Sequence, residues 1–336
     1  LKPLCGLDRE LEDNLRSFCR QDYPAYEILF HVRDQNDPAA EVVRRLQREF
    51  PALPMRLLVT GHPRYLNAKV HGLEAMSEAA AHEILVINDS DVRVAPDYLR
   101  AVVAPLADPQ VGLVTCLSRG AAGRSLWSRL EALSMNTQFV PGVLTAWLLI
   151  GMEFSLGPTM VVRKRDVERI GGMGVLGDYL ADDFVLGERI ARSGKRVVLA
   201  AATPDHLVCN ESLAASLRHR LRWERSSRRS RPAGYVGQLF LHAVPLALLT
   251  WAAAPGSHFA LGLLLATLAM RWLLSWVSCR WVLHDRDYGR DWWLVPIQDL
   301  LSFGLWCWAF FGREIEWRGA RFRVLRGGRL ERVGAP

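Results

Sequence analysis

What most limits the folds open to this chain is its last third. Three apolar stretches stand there: "YVGQLFLHAVPLALLTWAAA" (235–254), "HFALGLLLATLAMRWLLSWVSCRWVL" (258–283) and "WWLVPIQDLLSFGLWCWAFF" (292–311). At 1.5 Å per residue, segments of this length reach across a bilayer core. A helical hairpin buried in a soluble protein reads the same way. Tryptophans at the segment ends and arginines just outside them favour a membrane. Arg271 and Arg280 interrupt the second stretch, and Gln298 and Asp299 sit inside the third.

Charge then sets an expected topology. "LRHRLRWERSSRRSR" (217–231) carries seven arginines just before the first stretch, and arginine-rich flanks stay cytoplasmic. The basic tail, 312–336, belongs on the same side. Crossings at 235–254 and 258–283, with 292–311 re-entrant or lying along the surface, satisfy both. "FVPGVLTAWLLIGMEFSLGPTM" (139–160) is apolar but too short to span before Gly151. It reads as ordinary core or, the reading preferred here, as an interfacial lip that admits a lipid. The formal net charge of +7 suits anionic partners: phosphates, nucleic acid or acidic lipid. With the arginines beside membrane segments and no aromatic–basic interleaving for base stacking, nucleic acid is not expected. The six scattered cysteines form no CxxC pair, which argues against a zinc site or disulfide framework and suits a reducing compartment. The chain opens Leu-Lys-Pro without a visible signal peptide, so an upstream segment is expected.

Residues 1 to about 205 alternate strands and helices. Strands are expected over 26–34, 55–60, 83–89 and 111–116, with helices over 37–50, 67–79 and from Pro96. That alternation predicts a mostly parallel α/β sheet with right-handed crossovers. In "EILVINDSDVRV" (83–94) a buried strand runs straight into Asp89 and Asp91. Carboxylates there are costly to desolvate without a cation or a hydrogen-bonded ligand, and strand carboxyl ends are where open α/β sheets bind ligands. A strand followed by an Asx turn is the plain alternative. Asp34 ends an earlier strand, and Asp182 and Asp183 open a helical run in "YLADDFVLGERI". The order is D … DxD … DD, followed by Arg-Trp in "HRLRW" (219–223).

This order resembles the inverting nucleotide-sugar glycosyltransferases of GT-A fold, and more narrowly the ceramide glucosyltransferase family with its bacterial hopanoid-linked relatives. "LKPLCGLD", "FCRQDYP", "NAKV", "DSDVRV", "GLVTCL", "YLADDF", "HRLRW" and "REIEWRGARFRV" carry the resemblance nearly end to end. It implies a Rossmann-like GT-A catalytic domain over 1–232 and a membrane-associated region over 233–336. It also implies a UDP-sugar donor and a lipid acceptor, ceramide or a hopanoid such as bacteriohopanetetrol, with N-acetylglucosamine a possible sugar for the latter. The enzyme would be an integral membrane protein, its catalytic domain at the cytoplasmic face of a bacterial inner membrane, in contact with anionic headgroups.

By the same resemblance Asp91, with Asp89, holds Mg²⁺ or Mn²⁺ on the donor's pyrophosphate, Asp89 alternatively holding ribose. Asp34 contacts the base, unless it only caps the Asp-x-x-Asp-Pro turn. Asn67 and Lys69 lie near the nucleotide, although a solvated helix position suits Lys69 nearly as well. Asp183 is the base that inversion requires, and Asp182 supports it, a plain acidic first helix turn favoured by the macrodipole being the alternative. Arg222 meets the leaving diphosphate, and Trp223 walls off or stacks on the acceptor. The family carries Gln or Arg where this chain has His219, which puts that neighbour's role in doubt, though an imidazole can donate to a phosphate. Contact of the arginine face (Arg218, Arg222, Arg225, Arg229) with anionic lipid is compatible with these roles. His206 is read as structural. A membrane-anchored sugar-nucleotide sensor without catalysis is the rival reading.

Overall fold

The computed structural model describes residues 1–334; the last two residues of the expected tail 312–336 lie outside them. The chain divides into two compact units. The first gathers residues 1–118, 150–207 and 329–331, and the second 119–149, 208–328 and the segment from Arg332. The expected division at 232 follows chemical character, and these units follow packing.

In the first unit the strand Ile28–Val32 is buried throughout, parallel to Met55–Val59 on one side and Lys2–Pro3 on the other. The helix Pro38–Glu49 begins where Asp37 accepts from Ala39 N and proline takes the first helical position. Its Ala39, Ala40, Val42, Val43 and Leu46 pack into a core shared with Phe30, Val32, Val114 and Val161. A second sheet has the order Ile84–Ile87, Met160–Arg163, Val111–Thr115, Arg196–Leu199. Within the expected α/β architecture one strand of this sheet is reversed. Met160–Arg163 runs antiparallel to both neighbours, while Val111–Thr115 and Arg196–Leu199 are parallel, so the α/β architecture is mixed. A strand buried on both faces shows the same apolar run in either direction, and sequence cannot say which way it enters. The residues Arg329–Glu331 return to this unit: Leu330 N donates to Asp178 O at 2.6 Å, and Arg329 bridges Tyr179.

The second unit is mainly helical. His258–Val282 is one 25-residue helix, as read for 258–283. The stretch 235–254 is instead a bent pair, Pro232–Leu241 and Ala243–Ala253, at 60°. Pro245, which lacks an N–H, sits in the first turn of the second piece, where a helix tolerates it. The stretch 292–311 contains a helix of only 15 residues, Val295–Ala309, about 22 Å long against a core of about 30 Å. Its polar residues are satisfied internally. Arg271 holds both oxygens of Asp299 (2.8 and 2.7 Å), and Arg220 reaches Gln298 at 3.1 Å.

A further long apolar helix, Leu126–Ile150, contains the front half of the expected lip. Sequence reading missed its extent because Arg129 and Glu131 interrupt the apolar run. Arg129 pairs with Asp291, and Glu131 bonds His219. Among the described residues two helices suffice by length and composition to cross a membrane, or three if the bent pair is one span. Connectivity argues against Leu126–Ile150 as a full crossing. Leu156 N already donates to Thr115 Oγ1 at 3.0 Å inside the first unit. The six residues from Ile150 to Leu156 reach about 20 Å when extended, short of the hydrocarbon thickness, and extended backbone is not stable in lipid. Leu148 and Leu149, 82% and 74% exposed, therefore form an apolar tip. All six cysteines are free.

Candidate functional site

The strand Ile84–Ile87 ends on Asn88, which is buried and donates to Tyr98 OH and Pro158 O, both at 2.7 Å. The three residues after it are held through their main-chain oxygens. Lys2 Nζ donates to Asp89 O at 2.6 Å, Asn14 Nδ2 to Ser90 O at 3.3 Å and Leu207 N to Asp91 O at 2.8 Å. The backbone is thereby fixed and the two carboxylates are left for other partners.

Those partners come from two helix starts. Asn67 caps the helix Ala68–Ala79 by accepting from Lys69 N at 3.0 Å. Its amide donates to Tyr179 O at 2.9 Å and Asp182 Oδ1 at 3.3 Å. Two residues on, Lys69 Nζ lies 2.8 Å from Asp89 Oδ1 and 3.3 Å from Asp182 Oδ2. Lys69 is thus a buried counter-ion, and the solvated alternative does not hold. Burial disfavours its charge, but Asp182, Asp89 and Asp183 outweigh that and raise its pKa well above the ordinary lysine value.

Asp182 and Asp183 open the helix Asp182–Arg192, where the macrodipole favours carboxylates. Gly187 lets this helix lie directly on backbone, since a Cβ there would meet Ser155 N at 2.2 Å. A Cβ on Gly157 would lie 3.0 Å from Asp183 Oδ2 and 3.4 Å from Asp89 Oδ2, so both carboxylates converge on this glycine. Burial first, and the Asp182 charge second, push the Asp183 carboxyl up to about 6, against the pull of Lys69. Gly157→Ala should press chiefly on Asp183, which must give by a few tenths of an ångström. We expect a roughly tenfold fall in any turnover the site supports with little change in melting temperature; unchanged turnover would show that this carboxylate yields freely.

Asp91 faces a different set. His206 Nε2 is 3.3 Å from its Oδ2, because Asp205–Val208 pairs antiparallel with Val92–Arg93 and sets His206 opposite Val92. Burial opposes the Asp91 charge, but His206 and Lys2 bring its pKa down to about 2. Asp91 Oδ1 is buried and has no hydrogen-bond partner. Among the described residues no group of three or more His, Cys, Asp or Glu is arranged to hold a metal. Mg²⁺ and similar cations commonly take only one or two carboxylates, with substrate phosphates completing the shell. The unsatisfied Asp91 oxygen, with Asp89 and His206 beside it, fits that pattern, and an imidazole donor suits Mn²⁺ better than Mg²⁺.

Asp34 is not brought into this cluster. It is exposed, its Oδ1 accepts from Asn36 N at 2.8 Å, and its carbonyl accepts from Asp37 N. The helix cap belongs to Asp37. Sequence reading missed Lys2 and the partnership of His206. Lys2 is 2% exposed, its Nζ lies 3.8 Å from the centre of the Phe18 ring, and burial lowers its pKa to about 7. Only its position at the start of a strand hinted at this.

The remaining three candidates lie in the second unit, on the helix Leu213–Ser230. His219 and Trp223 contact each other at 4.4 Å between ring centroids. Trp223 packs on Ala132, Met135 and Val208, and Arg222 is half-buried. The expected arginine face is partly committed elsewhere: Arg225 donates to the carbonyls of Phe311 (3.1 Å) and Glu314.

A family model described as glycosyl transferase family 21 matches residues 1–330. The chain belongs to glycosyl transferase family 21. Among its curated relatives, ceramide glucosyltransferase 1 of Caenorhabditis elegans is 27% identical over 201 residues, covering 60% of this chain and 43% of the relative. Ceramide glucosyltransferase 3 of the same organism is 24% identical over 230 residues, 66% of this chain and 49% of the relative. This family 21 chain therefore spans about half the length of the curated relatives it matches, or somewhat less. Among solved structures, the mannosyltransferase PcManGT of Pyrobaculum calidifontis, in complex with GDP-Man and Mn2+, aligns with a TM-score of 0.53 and 23% identity. The alignment covers 91% of this chain and 86% of that one. The fold is GT-A.

Proposed function

We propose that this family 21 protein transfers a hexose or N-acetylhexosamine from a UDP-sugar to a hydroxyl of a membrane lipid, with inversion and with help from a divalent cation. The observation that carries the reading is the Asp183 carboxylate. It is raised toward neutrality and faces the same glycine as Asp89, in a chain of GT-A fold. Asp183 would take the proton of the acceptor hydroxyl as it attacks the anomeric carbon. Asp182 and Asn67 hold that helix start, and Lys69 balances the charge. Asp91, Asp89 and His206 would hold Mn²⁺ or Mg²⁺, whose chemistry is neutralisation of the diphosphate. Arg222 is assigned to the leaving group and Trp223 to the acceptor, by residue type; Asp34 is assigned to the base.

Ceramide is the first acceptor to test, in keeping with the relatives' names, and a hopanoid polyol is the second. Two apolar helices and the tip at Leu148 and Leu149 support attachment to a membrane. We assign residues 1–232 to catalysis and 233–336 to membrane association, with the catalytic part cytoplasmic in a bacterial inner membrane. The charge argument then requires the bent pair to count as one span, returning the tail to the side of the 217–231 run. The deciding experiment is transfer by the detergent-solubilised full chain. Labelled UDP-glucose, UDP-galactose and UDP-N-acetylglucosamine are each offered with ceramide or bacteriohopanetetrol, with and without Mn²⁺ or Mg²⁺. Metal-dependent labelling of lipid is expected; donor binding with no labelled lipid would favour a sensor.

A further inference from the structure

Within the second unit, positive charge gathers at the end of the helix Leu213–Ser230. Arg228 and Arg229 lie in its last turn. Arg228 Nη2 donates to Gly312 O at 2.8 Å and its Nη1 to Phe310 O at 3.3 Å, the guanidinium standing 5.9 Å from the centre of the Phe310 ring. With Arg225 on Phe311 O, it clasps the turn that leaves the apolar helix Val295–Ala309 and runs on into Arg313. The short turn Arg326–Gly328 lies against the same helix end, since a Cβ on Gly328 would be 2.6 Å from Ser230 Oγ. Among the described residues none of Arg228, Arg229, Arg313 and Arg326 pairs with a carboxylate, and the nearby Glu314 is 3.6 Å from Arg323. Burial first, then the charges of Arg228, Arg313 and Arg326, hold the Arg229 guanidinium below the ordinary arginine value.

What adjoins these cations points to the anion that balances them. Trp308, Phe310 and Phe311, at the end of the helix they clasp, are 52%, 39% and 72% exposed. Aromatic rings beside arginines at the end of an apolar helix match the headgroup layer of a bilayer. Nucleic acid offers phosphates too, but the apolar exposure continues along the helix through Leu300 and Ile297, which no base stacks on. We propose that Arg228, Arg229, Arg313 and Arg326 form a headgroup site for an anionic phospholipid. Their guanidinium forks take the phosphate, and Trp308, Phe310 and Phe311 take the start of the acyl chains. The site is not the expected face of Arg218, Arg222, Arg225 and Arg229, because Arg225 is spent on main-chain oxygens and two of the four cations come from the tail. The inference rests on the membrane attachment proposed above and not on sugar transfer.

The test measures energy transfer from tryptophan to pyrene on the full chain in neutral detergent, as pyrene-labelled phosphatidylglycerol or phosphatidylcholine is added. Wild type is expected to prefer phosphatidylglycerol. Arg313 and Arg326 are both exposed, so Arg313→Gln with Arg326→Gln removes two cations at little cost to the fold. A basic residue near an anionic surface is worth roughly fivefold in affinity. The double variant should therefore bind phosphatidylglycerol about 25-fold more weakly and phosphatidylcholine within about twofold of wild type. If its melting curve shows misfolding, Arg326→Gln alone replaces it, with about a fivefold loss expected. Arg44→Gln with Arg48→Gln, on the exposed face of the helix Pro38–Glu49, removes the same charge elsewhere and should leave both lipids unaffected. Equal affinity for the two lipids, or an equal loss in that control, would overturn the proposal and leave membrane attachment standing. Displacement of phosphatidylglycerol by inorganic phosphate or by a single-stranded oligonucleotide at equal phosphate concentration would overturn it as well. No transfer to either lipid would remove the attachment on which it rests.

Discussion

Asp183→Asn is expected to lower kcat by on the order of 10³-fold while donor still binds, because a positioned general base contributes about 10²–10⁴-fold. The pH profile of the wild type gives a second reading. With the carboxyl raised to about 6, the base is lost to protonation as pH falls through that value. The rate should rise up to about pH 6 and level above it. Stability moves the opposite way. A carboxyl whose folded pKa exceeds its unfolded value of about 3.9 binds its proton more tightly in the folded state. Its charge therefore opposes folding in full above about pH 6, and the penalty vanishes below about pH 4. Asparagine carries no charge, so the variant should melt no lower than wild type at pH 8. An Asp183→Asn protein that turns over normally removes Asp183 from the chemistry. One that is inactive but melts well below wild type would point to a structural role instead.

Lys69→Met should produce the largest loss of stability among site variants. Removing one partner of a buried pair leaves uncompensated charge, at about 3–5 kcal/mol. Asp89 is 31% exposed, whereas Asp182 is 7% exposed, so solvent screens part of the loss and about 2–3 kcal/mol is expected. Thermal melting in detergent checks this. The gap between variant and wild type should narrow as pH falls through about 6, because protonating Asp183 removes part of the repulsion that Lys69 had balanced. A gap independent of pH would mean that lost packing of the butyl chain, and not charge, dominates.

The alternation of strands and helices from residue 26 to 116 was legible from its apolar runs and helix starts, whereas the helix Leu11–Cys19, which has no side-chain cap, was not read. Asp37 and Asn67 announce the helices they begin. The direction of Met160–Arg163 was not legible, since neither alternation nor apolar content depends on direction. The carboxylates were found through their order along the chain, yet what surrounds them was not. Lys69 reads as an ordinary helix lysine until Asp89 and Asp182 are seen on either side of it. His206 reads as a lone histidine until pairing with Val92 brings it to Asp91. The helix Leu126–Ile150 was hidden by Arg129 and Glu131, whose partners lie 162 and 88 residues away along the chain. Long-range pairing of this kind leaves no local signature.

The place of Arg329–Glu331 within the first unit bears on how the protein is made. The loop that Leu330 holds at Asp178 also carries Tyr179, whose carbonyl receives the Asn67 amide. Both acidic motifs leave the ribosome long before that segment. At about 5–20 residues per second, roughly ten seconds of synthesis separate Leu207 from Arg329. During that time the nascent strand-and-helix unit lacks its last element, while the apolar helices between are being inserted or packed. Completion of the loop beside Asp182 and Asp183 is thereby postponed until the membrane-directed segments have been made. A carboxyl-terminal fusion would act on the timing and yield of that last step even where it leaves the finished site untouched.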